Sequence, residues 1–277
     1  MTAAVQPRDH TLEARGLRFH YVEWGERGGS PLVLLHGLGA MCRIWDHLAV
    51  TVQDRYHIFA PDQRGHGDTS WPDAMDYATD DYVADLETLV DAWDLDRFAL
   101  VGLSMGGMNA IAYAARHPDR VTKLVAVDIR PAINRGANAE MAAQAKQLAE
   151  EGHPTYADID AAFAARKATH PYTPDVSVRH HVEHLMKPVD GRVVAKQDPR
   201  VGYGWRPANL WADLPKATMP VLILRGGRSE VLPLDQAEQM RDAFPNAELV
   251  TIEESGHTIP EDTPGRFNEV VTGFLAR

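Results

Sequence analysis

The stretch Phe98-Ala99-Leu100-Val101-Gly102-Leu103-Ser104-Met105-Gly106-Gly107 decides how this chain is read. An apolar run enters a Gly-x-Ser-x-Gly turn, and a helix-length segment, Met105–Arg116, leaves it. A serine between strand and helix needs a turn so sharp that neighbouring Cβ atoms would collide. Gly102 and Gly106 remove those collisions. The turn projects the hydroxyl past the end of a sheet and leaves Ser104 at a helix N-terminus. Backbone amides and the helix dipole there favour developing negative charge.

Outward from that turn, short continuous apolar runs recur at residues 32–35, 57–60, 124–127, 221–224 and 248–252. Strands that read this way are covered on both faces, as in a parallel sheet. Helix-length segments at 82–93, 235–243 and 263–275 alternate with them. Only Leu17–Trp24 alternates apolar and polar residues, as a half-buried antiparallel strand does. The expected fold class is therefore α/β: a mostly parallel twisted sheet with helices on both faces. The alternation stops after Val127. Residues 131–217 offer helical stretches at 137–151, 156–169 and 176–186, and a short hairpin at 189–195 turning on Asp190-Gly191. Such a length is too great for a structureless connection. We expect residues 1–130 and 218–277 to form the core domain and 131–217 an inserted helical cap, or lid.

Two further features complete the chemistry. Leu35-His36-Gly37-Leu38-Gly39 closes an early strand with a flexible turn. Acyl transfer needs two converging backbone N–H groups on its oxyanion, expected from Met105 and Leu38. His36, at a strand end, is expected to be structural. Near the C-terminus, Gly256-His257 follows the last apolar strand, where open α/β sheets place their sites. An imidazole there is suited to shuttling protons near neutral pH. The histidine needs a carboxylate partner. Glu230, after the run at 221–224, is the preferred candidate, and Asp128, directly after 124–127, is the alternative.

The order strand–His36-Gly37-Leu38-Gly39, Gly102-x-Ser104-x-Gly106, acid, Gly256-His257 resembles the α/β-hydrolase fold superfamily. Pro61-Asp62-Gln63-Arg64-Gly65-His66-Gly67 is similar to that family's loop after its fourth strand. The resemblance implies a triad acid after the seventh strand, which maps onto Glu230, and a cap after the sixth, which maps onto 131–217. It also implies a serine hydrolase of small carboxylic esters or lactones, working through an acyl-enzyme. A C–C bond hydrolase or a perhydrolase would use the same triad. Ring-cleavage C–C hydrolases usually place an aromatic residue after the histidine, where this chain has Thr258. A ligand-sensing hydrolase-like receptor is the reading from another class.

Composition narrows the partners. The net charge of −11 and the lack of a Lys/Arg cluster argue against nucleic acid and anionic membrane. One cysteine, Cys42, cannot form an internal disulfide, and the first fifteen residues lack a signal-peptide stretch. A cytoplasmic protein with a small-molecule substrate and no cofactor is expected. His180 and His184 share a helical face, yet no third ligand stands at sensible spacing, so no metal is expected. Phe163, Tyr172, Met186, Tyr203, Trp205 and Trp211 are the apolar and aromatic candidates for substrate contact. Arg130 is read as meeting an acidic substrate group, a surface carboxylate or Asp128.

Overall fold

The computed structural model describes residues 6–133 and 139–277. In chain order the strands are β1 (Arg8–Ala14), β2 (Leu17–Trp24), β3 (Ser30–Leu35), β4 (Tyr56–Pro61), β5 (Tyr77–Ala78), β6 (Phe98–Leu103), β7 (Val121–Val127), β8 (Met186–Val189), β9 (Arg192–Ala195), β10 (Trp205–Arg206), β11 (Val221–Gly226) and β12 (Ala247–Ile252). The helices are α1 (Asp46–Val52), α2 (Thr79–Ala92), α3 (Met105–Arg116), α4 (Ala139–Glu151), α5 (Ile159–Thr169), α6 (Asp175–Leu185), α7 (Val201–Gly204), α8 (Leu234–Ala243), α9 (Ile259–Asp262) and α10 (Pro264–Ala276).

Eight strands form one sheet in the order β1-β2-β4-β3-β6-β7-β11-β12. β2 pairs antiparallel with β1 and β4, and every other pairing in this sheet is parallel. The central strands are buried on both faces, which is why they read as unbroken apolar runs. Phe98 and Leu100 pack toward α2, α3 and α8, whereas Ala99, Val101 and Leu103 pack toward α1 and α10. Leu124 and Ala126 alternate with Val125 and Val127 in the same way. Each fully buried Val, Leu or Phe among them contributes roughly 1.5–3 kcal/mol. α3 is the central helix and is buried from Met105 through Ala115.

The edge strand β1 has no counterpart among the sequence expectations. Its residues lie half-exposed or exposed throughout, so no apolar run marks it. Among the described residues no helix is long and apolar enough to cross a membrane.

Among the described residues between β7 and β11, no strand joins the main sheet. This insert contains α4, α5, α6 and α7, and residues 137 and 138 of the first expected helix lie outside the described residues. α5 starts later than the pattern suggested because Asp158 caps it, accepting from Ala161 N at 2.8 Å. β8 and β9 form the expected hairpin, with Val189 opposite Arg192. Asp190 and Gly191 turn it with φ of 49° and 74°, as a two-residue hairpin turn requires.

Candidate active site

Ser104 stands at the carboxyl end of β6, in a backbone conformation (φ 51°, ψ −117°) that L residues rarely adopt. The turn is held by Ser104 N donating to Val127 O at 2.9 Å and by Met108 N donating to Ser104 O at 3.0 Å. A Cβ on Gly102 would lie 2.4 Å from the Gly106 carbonyl oxygen, and one on Gly106 would lie 2.3 Å from Leu35 O. Neither position has room for a side chain, so the strain at Ser104 is fixed by its neighbours.

The amide of Met105 is the first of α3 and precedes the first intrahelical bond, so it has no partner within the helix. The Gly37–Leu38 turn lies beside it, with a Gly37 Cβ placed 3.3 Å from Ser104 Cβ. His36 anchors that turn. Its Nδ1–H donates to Gly37 O at 2.8 Å, and its Nε2 accepts from Gln63 N at 3.0 Å. Gln63 also donates to His36 O and accepts from Asn109 of α3. Both ring nitrogens are thus engaged by backbone, and burial pushes the pKa of His36 down. His36 is a structural strut, fully buried and neutral.

The loop after β4 supplies a second strut. Asp62 is buried and accepts from Cys42 N at 2.7 Å, Asp68 N at 2.9 Å and His20 Nδ1 at 2.7 Å. Burial alone would raise this carboxyl, but the bond and charge of His20, with the Asp68 amide, outweigh it and hold the pKa at about 2. A Cβ on Gly67 (φ 52°) would meet the Asp62 carboxyl at 2.1 Å. Arg64 donates to both oxygens of the buried Asp85, at 2.5 and 2.6 Å. These charges hold the loop in place and none reaches Ser104.

The two carboxylate candidates are placed differently from the sequence preference. Asp128 follows β7 directly, takes φ 45° and is 0% exposed. His257 Nδ1 donates to Asp128 Oδ2 at 2.7 Å. Gly226 N at 3.1 Å and the Ser229 hydroxyl at 2.5 Å also donate to Asp128. Glu230 lies exposed, and among the described residues only its backbone carbonyl is engaged, by Arg130 at 2.5 Å. The preference for Glu230 is therefore corrected by geometry. In the loop after β11 it is Ser229, not Glu230, that turns inward, and it turns toward Asp128. Arg130 also donates to Val231 O, so it ties the two loops together rather than meeting a carboxylate.

With Nδ1–H committed to Asp128, Nε2 of His257 is the nitrogen left to take a proton. Neither that atom nor the Ser104 hydroxyl has a hydrogen bond among the described residues. Catalytic hydrogen bonds are often long before substrate binds. Residues 104, 128 and 257 nonetheless share the carboxyl edge of β6, β7 and β12. The His257 loop is braced from behind by Asp262, which accepts from Gly256 N at 2.9 Å and from Thr258 Oγ1 at 3.0 Å. A Cβ on Gly226 would lie 2.0 Å from Gly256 O, so the two loops touch through backbone.

The insert reaches this edge at several points. Thr173 donates to Asp262 Oδ1 at 2.5 Å. The Tyr172 ring approaches Gly256, and the Arg228 guanidinium lies over that ring at 4.7 Å. Gln197 comes to 3.5 Å from the position a Gly39 Cβ would occupy, beside the Gly37–Leu38 turn, and nothing in its sequence context marks it. Of the other expected contacts, Phe163 packs in a small cluster of the insert, where Arg179 covers it, and Met186 is half-buried. Trp205 is buried on β10 beside Tyr77, Trp211 is half-buried against the core, and Tyr203 is exposed.

A family model described as the alpha/beta hydrolase fold matches residues 30–264. The chain is 29% identical over 257 residues to the 2-(acetamidomethylene)succinate hydrolase of Mesorhizobium japonicum, covering 90% of each. It is 30% identical over 258 residues to an esterase of Mycobacterium tuberculosis, covering 92% of this chain and 85% of that one. The crystal structure of an E-2-(acetamidomethylene)succinate hydrolase superposes with a TM-score of 0.87 at 25% identity, over 98% of this chain and all of that one.

Proposed function

Because the chain belongs to the α/β-hydrolase fold family and is a hydrolase, we propose that it cleaves a small-molecule carboxylic ester or lactone through an acyl-enzyme on Ser104. The observation that carries this reading is the 2.7 Å bond from His257 Nδ1 to the fully buried Asp128, at the sheet edge where Ser104 is presented. The carboxylate fixes the imidazole tautomer and stabilises the imidazolium that forms.

In this scheme His257 Nε2 takes the Ser104 proton as the hydroxyl oxygen attacks the substrate carbonyl. The Leu38 and Met105 amides receive the oxyanion, each worth ~3 kcal/mol of barrier. Collapse expels the alcohol, which takes the proton from His257. Water, activated by the same nitrogen, then releases the acid and frees Ser104. The insert acts as a cap over this edge, beside which Leu38 stands 37% exposed.

A fluorophosphonate probe tests the scheme. It should label one site, Ser104, by intact mass and peptide mapping, and Ser104→Ala should abolish labelling. Labelling elsewhere, with ester turnover intact in Ser104→Ala, would overturn it. Parallel assays with p-nitrophenyl esters, lactones, a vinylogous diketone and hydrogen peroxide separate ester cleavage from C–C cleavage and perhydrolysis.

One observation favours a narrower class of substrate, one carrying an anionic group. The exposed Arg228 has no ion pair among the described residues and sits on Tyr172 beside the His257 loop. The Mesorhizobium relative is named for a succinate. Arg228→Met should raise KM for p-nitrophenyl hemisuccinate about 3- to 10-fold, a typical loss for a partly exposed charged contact, and leave p-nitrophenyl butyrate unaffected. Equal effects on both esters would remove this reading and leave the acyl-enzyme scheme untouched.

A further inference from the structure

The two histidines that share a face of α6 have a third neighbour that sequence spacing could not supply. His180 Nε2 lies 3.1 Å from Asp46 Oδ2, at the start of α1 in the core. The ligand-type atoms of Asp46, His180 and His184 all fall within 4.8 Å of one another. We propose that Asp46, His180 and His184 form a binding site for a zinc-class divalent transition metal, which joins helix α6 of the insert to helix α1 of the core.

Three features of the geometry argue for it. Ligands at about 2.0–2.1 Å from a tetrahedral zinc are separated by roughly 3.3 Å, close to the His180–Asp46 spacing. His184 Nδ1–H donates to the His180 backbone carbonyl at 2.8 Å. That bond fixes the tautomer and leaves Nε2 with its lone pair free, the second-sphere arrangement typical of metal-ligating histidines. The two rings already lie side by side, with centroids 4.3 Å apart and planes inclined by 45°. Two imidazoles and one carboxylate suit zinc, cobalt or nickel and leave a fourth position for water. All three residues are half-buried, so an ion can reach them.

Arg43 opposes the site. It holds Asp46 through both carboxylate oxygens, at 2.9 and 2.8 Å, and its carbonyl lies 3.1 Å from His180 Nε2. The ion must share Asp46 with that guanidinium, which makes the site weaker than a closed structural one. The other cluster of suitable side chains among the described residues, His20, Cys42 and Asp62, is buried, and three donors already occupy Asp62.

The test uses the full chain after chelation. Titration with zinc, followed by calorimetry, and with cobalt, followed by visible absorption, should show one ion bound and the intense bands of a four-coordinate cobalt. His180→Asn and His184→Asn should each weaken binding about tenfold or more, as loss of one of three ligands requires. Arg43→Met should tighten binding several-fold, which a merely structural role for the histidines does not produce. Zinc should raise the thermal midpoint of wild type and leave that of His184→Asn unchanged, with metal-free ester hydrolysis equal in the two. No zinc uptake at high micromolar concentration would overturn the proposal. Equal uptake by wild type and both histidine variants would do so as well.

Discussion

The carboxyl rim of the sheet and the insert above it are held in different ways. At the rim, backbone does the positioning. Ser104 is fixed by the Val127 carbonyl of β7 and the Met108 amide of α3, and Asp128 receives the Gly226 amide. The expected oxyanion donors are themselves main-chain groups. The insert meets the core through the short β10–β5 pairing and the Asp198 amide on Gly65 O, and beyond these through a series of side chains meeting side chains. Arg166 and His181 hold Glu261, Thr173 holds Asp262, Tyr77 holds Asp198, and His180 holds Asp46. A site built on backbone is rigid and is written in local sequence. A docking built on long side chains is adjustable and is written in pairs of distant residues. Turnover should therefore be lost at the rim and only tuned from the insert.

The largest effect belongs to Ser104. Ser104→Ala should lower kcat by about 10⁴- to 10⁶-fold, with the thermal midpoint near that of wild type. Steady-state assays with p-nitrophenyl acetate check this. Near-full activity would move the chemistry off the rim altogether.

Next comes the acid. Asp128→Asn should lower kcat by about 10⁴-fold, because the amide stabilises the wrong imidazole tautomer. Glu230→Gln should stay within about threefold of wild type, as an exposed side chain with no partner among the described residues predicts. The pair of variants sharpens the comparison, since both residues stand on rim loops and differ in which way they face. The reverse ranking would restore Glu230 and make the His257–Asp128 bond incidental.

Asp262 stands where the two regions join. It accepts from the Gly256 amide on one side and from Thr173 of the insert on the other. Asp262→Asn should lower kcat about 10-fold through a looser His257 loop, on the scale seen for second-sphere contacts. Thr173→Ala should give a smaller loss in the same direction. A positioning role further requires the pH profile of kcat to shift in Asp262→Asn, which a change in packing alone would not produce.

What sequence could show follows the same division. β2, β7 and α3 were expected within a few residues because burial on one or both faces writes a period into the chain. Ser104, the Gly37–Leu38 turn and His257 were legible because their turns exclude side chains or demand special backbone. β1 was missed because neither of its faces is fully buried, and α1 because seven residues carry too little periodicity. The carboxylate partner of His257 was misjudged because a strand-end aspartate and a loop glutamate look alike until the direction of Ser229 is known. A signal for Asp128 was nevertheless present, since a carboxylate straight after a strand buried on both faces must find donors. Asp46 could not have been paired with His180 and His184 at all, because nothing local relates them.

The smallest effect on turnover is expected at Glu261, and there the comparison can be tested through stability. Glu261 is buried, which alone would raise its pKa, but His181 at 2.7 Å and Arg166 at 3.2 Å outweigh burial and hold it at about 2. In the unfolded chain the same carboxyl titrates near 4.5. A carboxyl whose folded value is depressed contributes stability that is present above the unfolded value and fades as pH falls toward the folded one. Glu261→Gln should therefore cost ~3 kcal/mol at pH 7, and the gap to wild type should close between about pH 4.5 and 2. Urea unfolding of both proteins at pH 7, 5 and 3 measures it, with kcat expected to change less than about threefold. A gap that stays constant down to pH 3 would mean that packing, not the charge, fastens the insert to the loop behind His257. A kcat loss as large as that of Asp128→Asn would mean that the two regions are not separable in the way their bonding suggests.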